Sequence, residues 1–189
     1  MKTRRVRLAC STLALLLLVG ATDALGAVVR QAELAQLVSS SAIIFHGVVS
    51  GVDESPESLS GQFVTEIQCE VIESIAGLEA HKNTFSFVVP GGQRGTKSLV
   101  IPGMPRFLPG DEVVLLLEEV EGRGGWVFTG LAQGVFWVRR DGLVPQVFRN
   151  LSELTLVRES EHVHGGVERP RSLYGLLETL HKLVRGATP

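Results

Sequence analysis

Residues 112–119, Glu-Val-Val-Leu-Leu-Leu-Glu-Glu, place five consecutive apolar side chains between two turn-forming stretches. Pro109-Gly110-Asp111 precedes the run, and a glycine-rich turn over residues 122–125 follows it. The run is short for a helix and does not alternate, which predicts a central strand covered on both faces. Such a strand constrains everything else, because it needs a neighbour on each edge and a layer over each face. Pro102, Pro105 and Pro109 lack amide donors and keep residues 102–109 out of any sheet interior. The turn therefore resets the chain for the strand.

The flanking sequence supplies the neighbours. Residues 42–49 are strongly β-prone. From 63 to 75 the pattern has period two, with Phe63, Thr65, Ile67, Cys69 and Val71 opposite Glu66, Gln68 and Glu70, as in a half-buried strand. Further strands are expected over residues 84–89, 126–129, 135–139 and 143–148. A short helix is expected over 31–38, with Leu34, Leu37 and Val38 on one side. Short strands joined by short turns predict a mainly β chain, a closed or strongly coiled OB-like β-barrel over residues 28–158. Residues 159–171 read as a linker. Residues 172–186 read as a C-terminal amphipathic helix with Ser172 as cap and Gly186 as stop. Its face of Leu173, Leu176, Leu177, Leu180, Leu183 and Val184 is expected to pack on the barrel.

The first 27 residues read as a signal peptide. Lys2, Arg4, Arg5 and Arg7 precede an apolar stretch from Leu13 to Val19, and small residues follow around Ala24-Leu25-Gly26-Ala27. The expected location is secreted or periplasmic, with no stable membrane span after cleavage. Cys10 stands at the start of the apolar stretch rather than its end, so it does not mark a lipoprotein. The mature chain keeps only Cys69 and forms no internal disulfide. Losing the leader leaves fourteen basic against nineteen acidic residues, a net charge of −5. That balance argues against a nucleic-acid partner.

Few motifs carry chemistry. His162 and His164, within Glu161-His162-Val163-His164, project to one side if extended and are the candidate metal ligands, for zinc or copper. His46 sits among apolar β residues and reads as a structural histidine. Gly91-Gly92-Gln93-Arg94-Gly95-Thr96-Lys97-Ser98 approaches a phosphate loop, but Thr96 stands where glycine is needed and no helix pattern follows. A basic hairpin is expected there instead. Glu66 and Glu70 read as solubilising carboxylates on an outer strand face. There is no nucleophile elbow, and no Ser, His and Asp take triad roles. Asn150-Leu151-Ser152 matches a glycosylation sequon. No catalytic or cofactor-binding residue is assigned.

The order of features over residues 35–138 resembles the netrin-like modules, including the inhibitory domain of tissue inhibitors of metalloproteinases. The similar parts are a short helix, "SAIIFHGVVS", "FVTEIQCEVIESIAG", a Phe-x-Phe strand, and "GDEVVLLLEE" before "GWVFTGLAQGVFWV". The chain also resembles a class of exported bacterial proteins of unassigned function with a "GMPRF-PG-E-VLLFL" type segment. The resemblance implies an OB-type barrel. Those inhibitors use a mature N-terminal cysteine and several disulfides, which this chain lacks, so no inhibitory residue transfers.

The leading functional expectation is an exported, non-enzymatic module binding an extracellular or envelope protein, or another ligand, through loops 53–61, 91–98 and 102–110. The competing expectations are a metal-dependent protein or enzyme using His162 and His164, and a structural envelope component. Export carries a direct test. N-terminal sequencing of the secreted protein is expected to begin between Ala24 and Val29, and an intact Met1 in the exported fraction refutes it.

Overall fold

The computed structural model describes residues 26–56, 62–79, 81–120, 125–158 and 161–187. The signal-peptide expectation lies, up to residue 25, outside the described residues. The fold is mainly β. In chain order it runs β1 (Ala27–Arg30), α1 (Leu34–Ser40), β2 (Ile43–Asp53), β3 (Val64–Ala76), β4 (Thr84–Pro90), β5 (Gly92–Arg94) and β6 (Lys97–Leu99). There follow β7 (Glu112–Val120), β8 (Gly125–Phe128), a 3-10 turn (Leu131–Gly134), β9 (Val135–Arg139) and β10 (Gln146–Phe148). The last elements are β11 (Leu154–Arg158), β12 (Glu161–His164), β13 (Arg171–Ser172) and α2 (Leu173–Ala187). No helix among the described residues is long and apolar enough to cross a membrane.

The main sheet has eight strands in the order β13-β10-β9-β7-β2-β3-β4, with β8 also paired to β7. One edge of β7 meets β2 over residues 43–48. Its other edge is shared, residues 113–115 pairing with β9 and residues 117–120 with β8. Every side chain from Val113 to Leu117 is fully buried. Val113, Leu115 and Leu117 enter one core with Phe45, Ile67, Phe85 and Phe128, while Val114 and Leu116 enter a second with Ile44, Phe136 and both helices. The apolar run is thus a central strand with a layer on each face, as its lack of alternation requires.

The sheet curls around the first core. Register shifts between β2 and β3 at Ile44/Phe45, His46/Gly47 and Val49/Gly51 sharpen its bend. The curl brings β4 against β8, where Phe85 meets Trp126 at 6.1 Å and Phe87 meets Phe128 at 5.8 Å between ring centroids. These strands touch through rings and not through a ladder. No sheet among the described residues closes, which corrects the closed-barrel expectation. Aromatic rings fill the seam between the two unpaired strands.

Both helices cover the outer face of β7. α1 starts at Leu34 rather than residue 31 because Glu33 takes the cap, its N–H donating to the Gln36 side chain at 3.0 Å. It ends through serines that bond backward, Ser41 Oγ donating to the Leu37 carbonyl at 2.7 Å. Ser172 Oγ accepts from the Gly175 N–H at 3.4 Å and caps α2, which buries Leu173, Leu176, Leu177 and Leu180. Gly186 does not stop α2, which runs to Ala187.

The linker expectation for 159–171 is corrected by pairing. β12 joins β11 antiparallel, β11 joins β1 in parallel, and the three form a second sheet. Beyond it, Asn150 bridges Val167, Arg149 holds Glu168, and β13 pairs with β10. Polar, glycine-containing composition suggested a linker, yet exposed edge strands need no apolar alternation, only backbone partners.

Two substitutions test these layers by urea denaturation. Leu180→Ala is expected to cost about 2–5 kcal/mol, because Leu180 is fully buried under the sheet. Gly110 has φ +95° with open space where a Cβ would stand, so Gly110→Val is expected to cost about 1–3 kcal/mol from backbone strain alone.

Candidate functional site

The histidine pair lies on β12, where residue 162 faces Val157 and residue 164 faces Thr155 across the ladder. Both side chains are exposed, and alternation puts them on one side, as expected of an extended segment. Among the described residues no three His, Cys, Asp or Glu side chains gather as a ligand set. The remaining histidines are engaged with carboxylates elsewhere. His181 pairs with Glu73 at 2.6 Å, His81 with Glu79 at 3.3 Å, and His46 with Glu112 at 2.8 Å.

His46 is the buried one. Its Nε2 meets Glu112 Oε1, and Arg140 Nε donates to the other Glu112 oxygen at 2.6 Å. This closed polar triad ties β2, β7 and the end of β9 together, so the histidine is satisfied as part of the frame. The Arg140 guanidinium, aided by His46, holds the Glu112 carboxyl below its ordinary range against the opposing effect of burial. Cys69 is equally committed to structure. It is buried in the first core, and desolvation pushes its thiol up to about 12, where thiolate chemistry is suppressed.

A different place gathers the variable loops. A slot at one end of the curled sheet is floored by Val52, Ile67, Val89 and Phe107 and edged by Glu54, Gly91, Ile101, Met104, Pro105 and Arg106. Apart from Ile101, which lies between the last two, these edges come from loops 53–61, 91–98 and 102–110. Of the first loop, residues 57–61 lie outside the described residues.

Local rules explain the convergence. Pro90 ends β4, and at Gly92 (φ +153°) the chain passes so close that a Cβ would lie 2.5 Å from the Val64 carbonyl oxygen and 2.6 Å from that of Glu54. Only glycine allows that approach. Gln93 N–H then donates to the Glu54 carbonyl at 3.0 Å, and Thr65 Oγ1 donates to the Gly91 carbonyl at 2.8 Å. The chain continues as the β5–β6 hairpin and not as a strand-to-helix phosphate loop.

The proline segment forms the other lip. Gly103 N–H donates to Glu153 Oε2 at 3.3 Å, and Met104 N–H donates to the Ile101 carbonyl at 3.1 Å. Phe107 is buried and stacks on Trp137 with centroids 4.9 Å apart, which anchors the lip to the first core. A second depression lies across the same strip, lined by Met104, Pro105, Arg106, Trp137, Asn150 and Glu153. Composition nominated the three loops, but their convergence depends on the long-range approach at Gly92. The Pro90-Gly91-Gly92 tripeptide was its only local signal.

No family model, curated protein or solved structure matches this chain.

The frame triad gives a pH test with a defined sign. Glu112 is lowered in the folded state, so its contribution is complete above the ordinary carboxylate range and is lost as pH falls through the lowered value. Melting temperatures measured from neutral to acidic pH are expected to fall more steeply for the native protein than for Glu112→Gln, whose curve starts lower.

Proposed function

We propose that this chain is an exported, non-enzymatic binding module of OB-like, netrin-like type that engages an extracellular or envelope protein through its loop end. The observation that carries the reading is the convergence of three loops on an apolar slot rimmed by Glu54 and Arg106. The side chains of Arg94, Lys97 and Arg106 make no hydrogen bond or ion pair among the described residues. Arg140 and Arg149, by contrast, are held inside the fold by Glu112 and Glu168. Loops fixed by a rigid scaffold with their polar groups left over suit recognition. Binding is favoured over turnover because His46 is tied to Glu112 and the Cys69 thiol is buried, which removes the plainest base and nucleophile. The basic leader and its apolar run support export.

A photo-crosslinker placed at Leu108, an exposed residue of the third loop, tests the reading. Incubated with the extracellular fraction of its source, the protein is expected to capture a discrete species. The same probe at Ile72, exposed on the far half of β3, is expected to capture none. Equal labelling at both positions, or none at either, refutes the loop end as the working face.

A further inference from the structure

We infer that two copies of this chain join along the outer edge of β12 around a shared zinc ion, held by His162 and His164 of both copies. The site lies on the second sheet and does not depend on the loop-end reading above.

One chain holds half a ligand set. His162 and His164 are exposed, and their rings make no hydrogen bond or ion pair among the described residues. His46, His81 and His181, by contrast, are each engaged by a carboxylate. The two free imidazoles stand on one face of β12, two positions apart, hence about 7 Å from each other along the strand. Imidazole suits zinc, which takes three or four protein ligands. No third His, Cys, Asp or Glu joins them among the described residues. Glu153 lines the same depression as His164, but its carboxylate accepts from the Gly103 N–H. A third ligand has to come from another chain.

The edge of the sheet can bring it. β12 ends the second sheet, so no strand pairs with its outer side among the described residues. Gly165 N–H donates to the Leu154 carbonyl at 2.8 Å, which makes that facing pair a bonded one. Bonded and unbonded pairs alternate along an antiparallel ladder. Val163 therefore turns its backbone groups toward Leu156, while His162 and His164 turn theirs outward.

A second copy of the same strand completes both the ladder and the ligand set. With β12 set antiparallel on β12 and Val163 opposite Val163, His162 of each copy faces His164 of the other. The outward N–H and C=O groups of both histidines then find partners. A shift of two residues either way leaves one histidine of each copy without a histidine opposite. Facing residues share a side of the sheet, with Cβ atoms about 4.5–5.5 Å apart, so four imidazoles gather on one side. On the other side the two half-exposed Val163 side chains meet. Val28, Arg30, Thr155 and Val157 share the histidine face on the neighbouring strands. Only Arg30 among them is charged, and β11 keeps it about 9–10 Å from His162. Three facing pairs fall short of the roughly 1,200–2,000 Å² that a stable interface buries, so the ion decides association.

The untagged mature chain, followed by sedimentation velocity, is expected to be monomeric in EDTA and dimeric in zinc sulfate, with one ion bound per two chains. His162→Asn and His164→Asn change exposed side chains and should keep the native melting temperature in EDTA. Each is expected to weaken zinc-driven dimerisation by roughly tenfold or more, whereas Glu161→Gln, on the opposite face, leaves the dimer in place. Val163→Cys reads the register. Facing unbonded residues have Cα atoms about 4.5 Å apart, within disulfide reach. Mild oxidation in zinc should therefore give a disulfide-linked dimer, and adding His162→Asn should abolish it; Cys69 is buried and does not compete. Absence of zinc binding, one ion per monomeric chain, or a dimer that forms equally in EDTA overturns the inference. So does dimerisation that both histidine variants retain, or a Val163→Cys dimer that stays uncrosslinked.

Discussion

The fold hangs on the burial of β7 from both sides. An antiparallel sheet commonly keeps one face on the core and the other in water, and its strands then alternate. Here Val113 to Leu117 are all without exposure, so two separate layers must be present before the strand is stable at all. The inner layer comes from the curl of the sheet on itself and the outer from α1 and α2. Each layer draws on residues distant in sequence from β7, Phe45 and Phe85 on one face and Leu37 and Leu176 on the other. Both cores share this strand, so α1 and α2 pack on the same sheet that encloses the first core.

How far this was legible follows from the same physics. β2, β3, β4, β7 and β9 fall where apolar run or alternation put them, because those strands face a core and their sequence records it. α2 was equally legible, since six apolar residues at helical spacing record one buried stripe. The second sheet was not. β12 is exposed at all four positions, and β1 reaches β11 in parallel across more than a hundred residues. β11 and β1 do alternate, burying Leu154 and Leu156 against Ala27 and Val29, but the pairing of β12 rests on backbone bonds that leave no mark in its side-chain pattern. The curl's final state was illegible for a related reason. Whether β4 and β8 zip or meet only through rings depends on the volumes of Phe85, Phe87, Trp126 and Phe128 in three dimensions.

The candidate site divides in the same way. Loop composition located the residues, and His162 and His164 were a fair reading of spacing, but neither could show which groups meet. The structure places the histidines on the exposed face of an edge strand without a third ligand among the described residues. It brings Glu54, Gly91 and Arg106 together through contacts made at Gly92 and Phe107. One is a backbone approach and the other a ring stack. Both are long-range, and only the glycine leaves a local trace.

These two anchors explain how a small slot stays open in a chain without a disulfide among its described residues. Cys69 lies in the core as an apolar group and crosslinks nothing, so rigidity at the loop end must come from packing. Phe107 supplies it on one side, stacked on Trp137 at 4.9 Å and tilted against Phe128 at 5.5 Å, which anchors the proline strip to the first core. Gly92 supplies it on the other, where the missing Cβ lets the chain pass close to two carbonyls and Gln93 N–H bond that of Glu54 at 3.0 Å. Prolines then withhold the strip's backbone from its own sheet. The stretch from Gly103 to Gly110 thus does two jobs by one device: it turns the chain into the doubly buried strand, and through Phe107 it fixes one lip of the slot to the core beneath that strand.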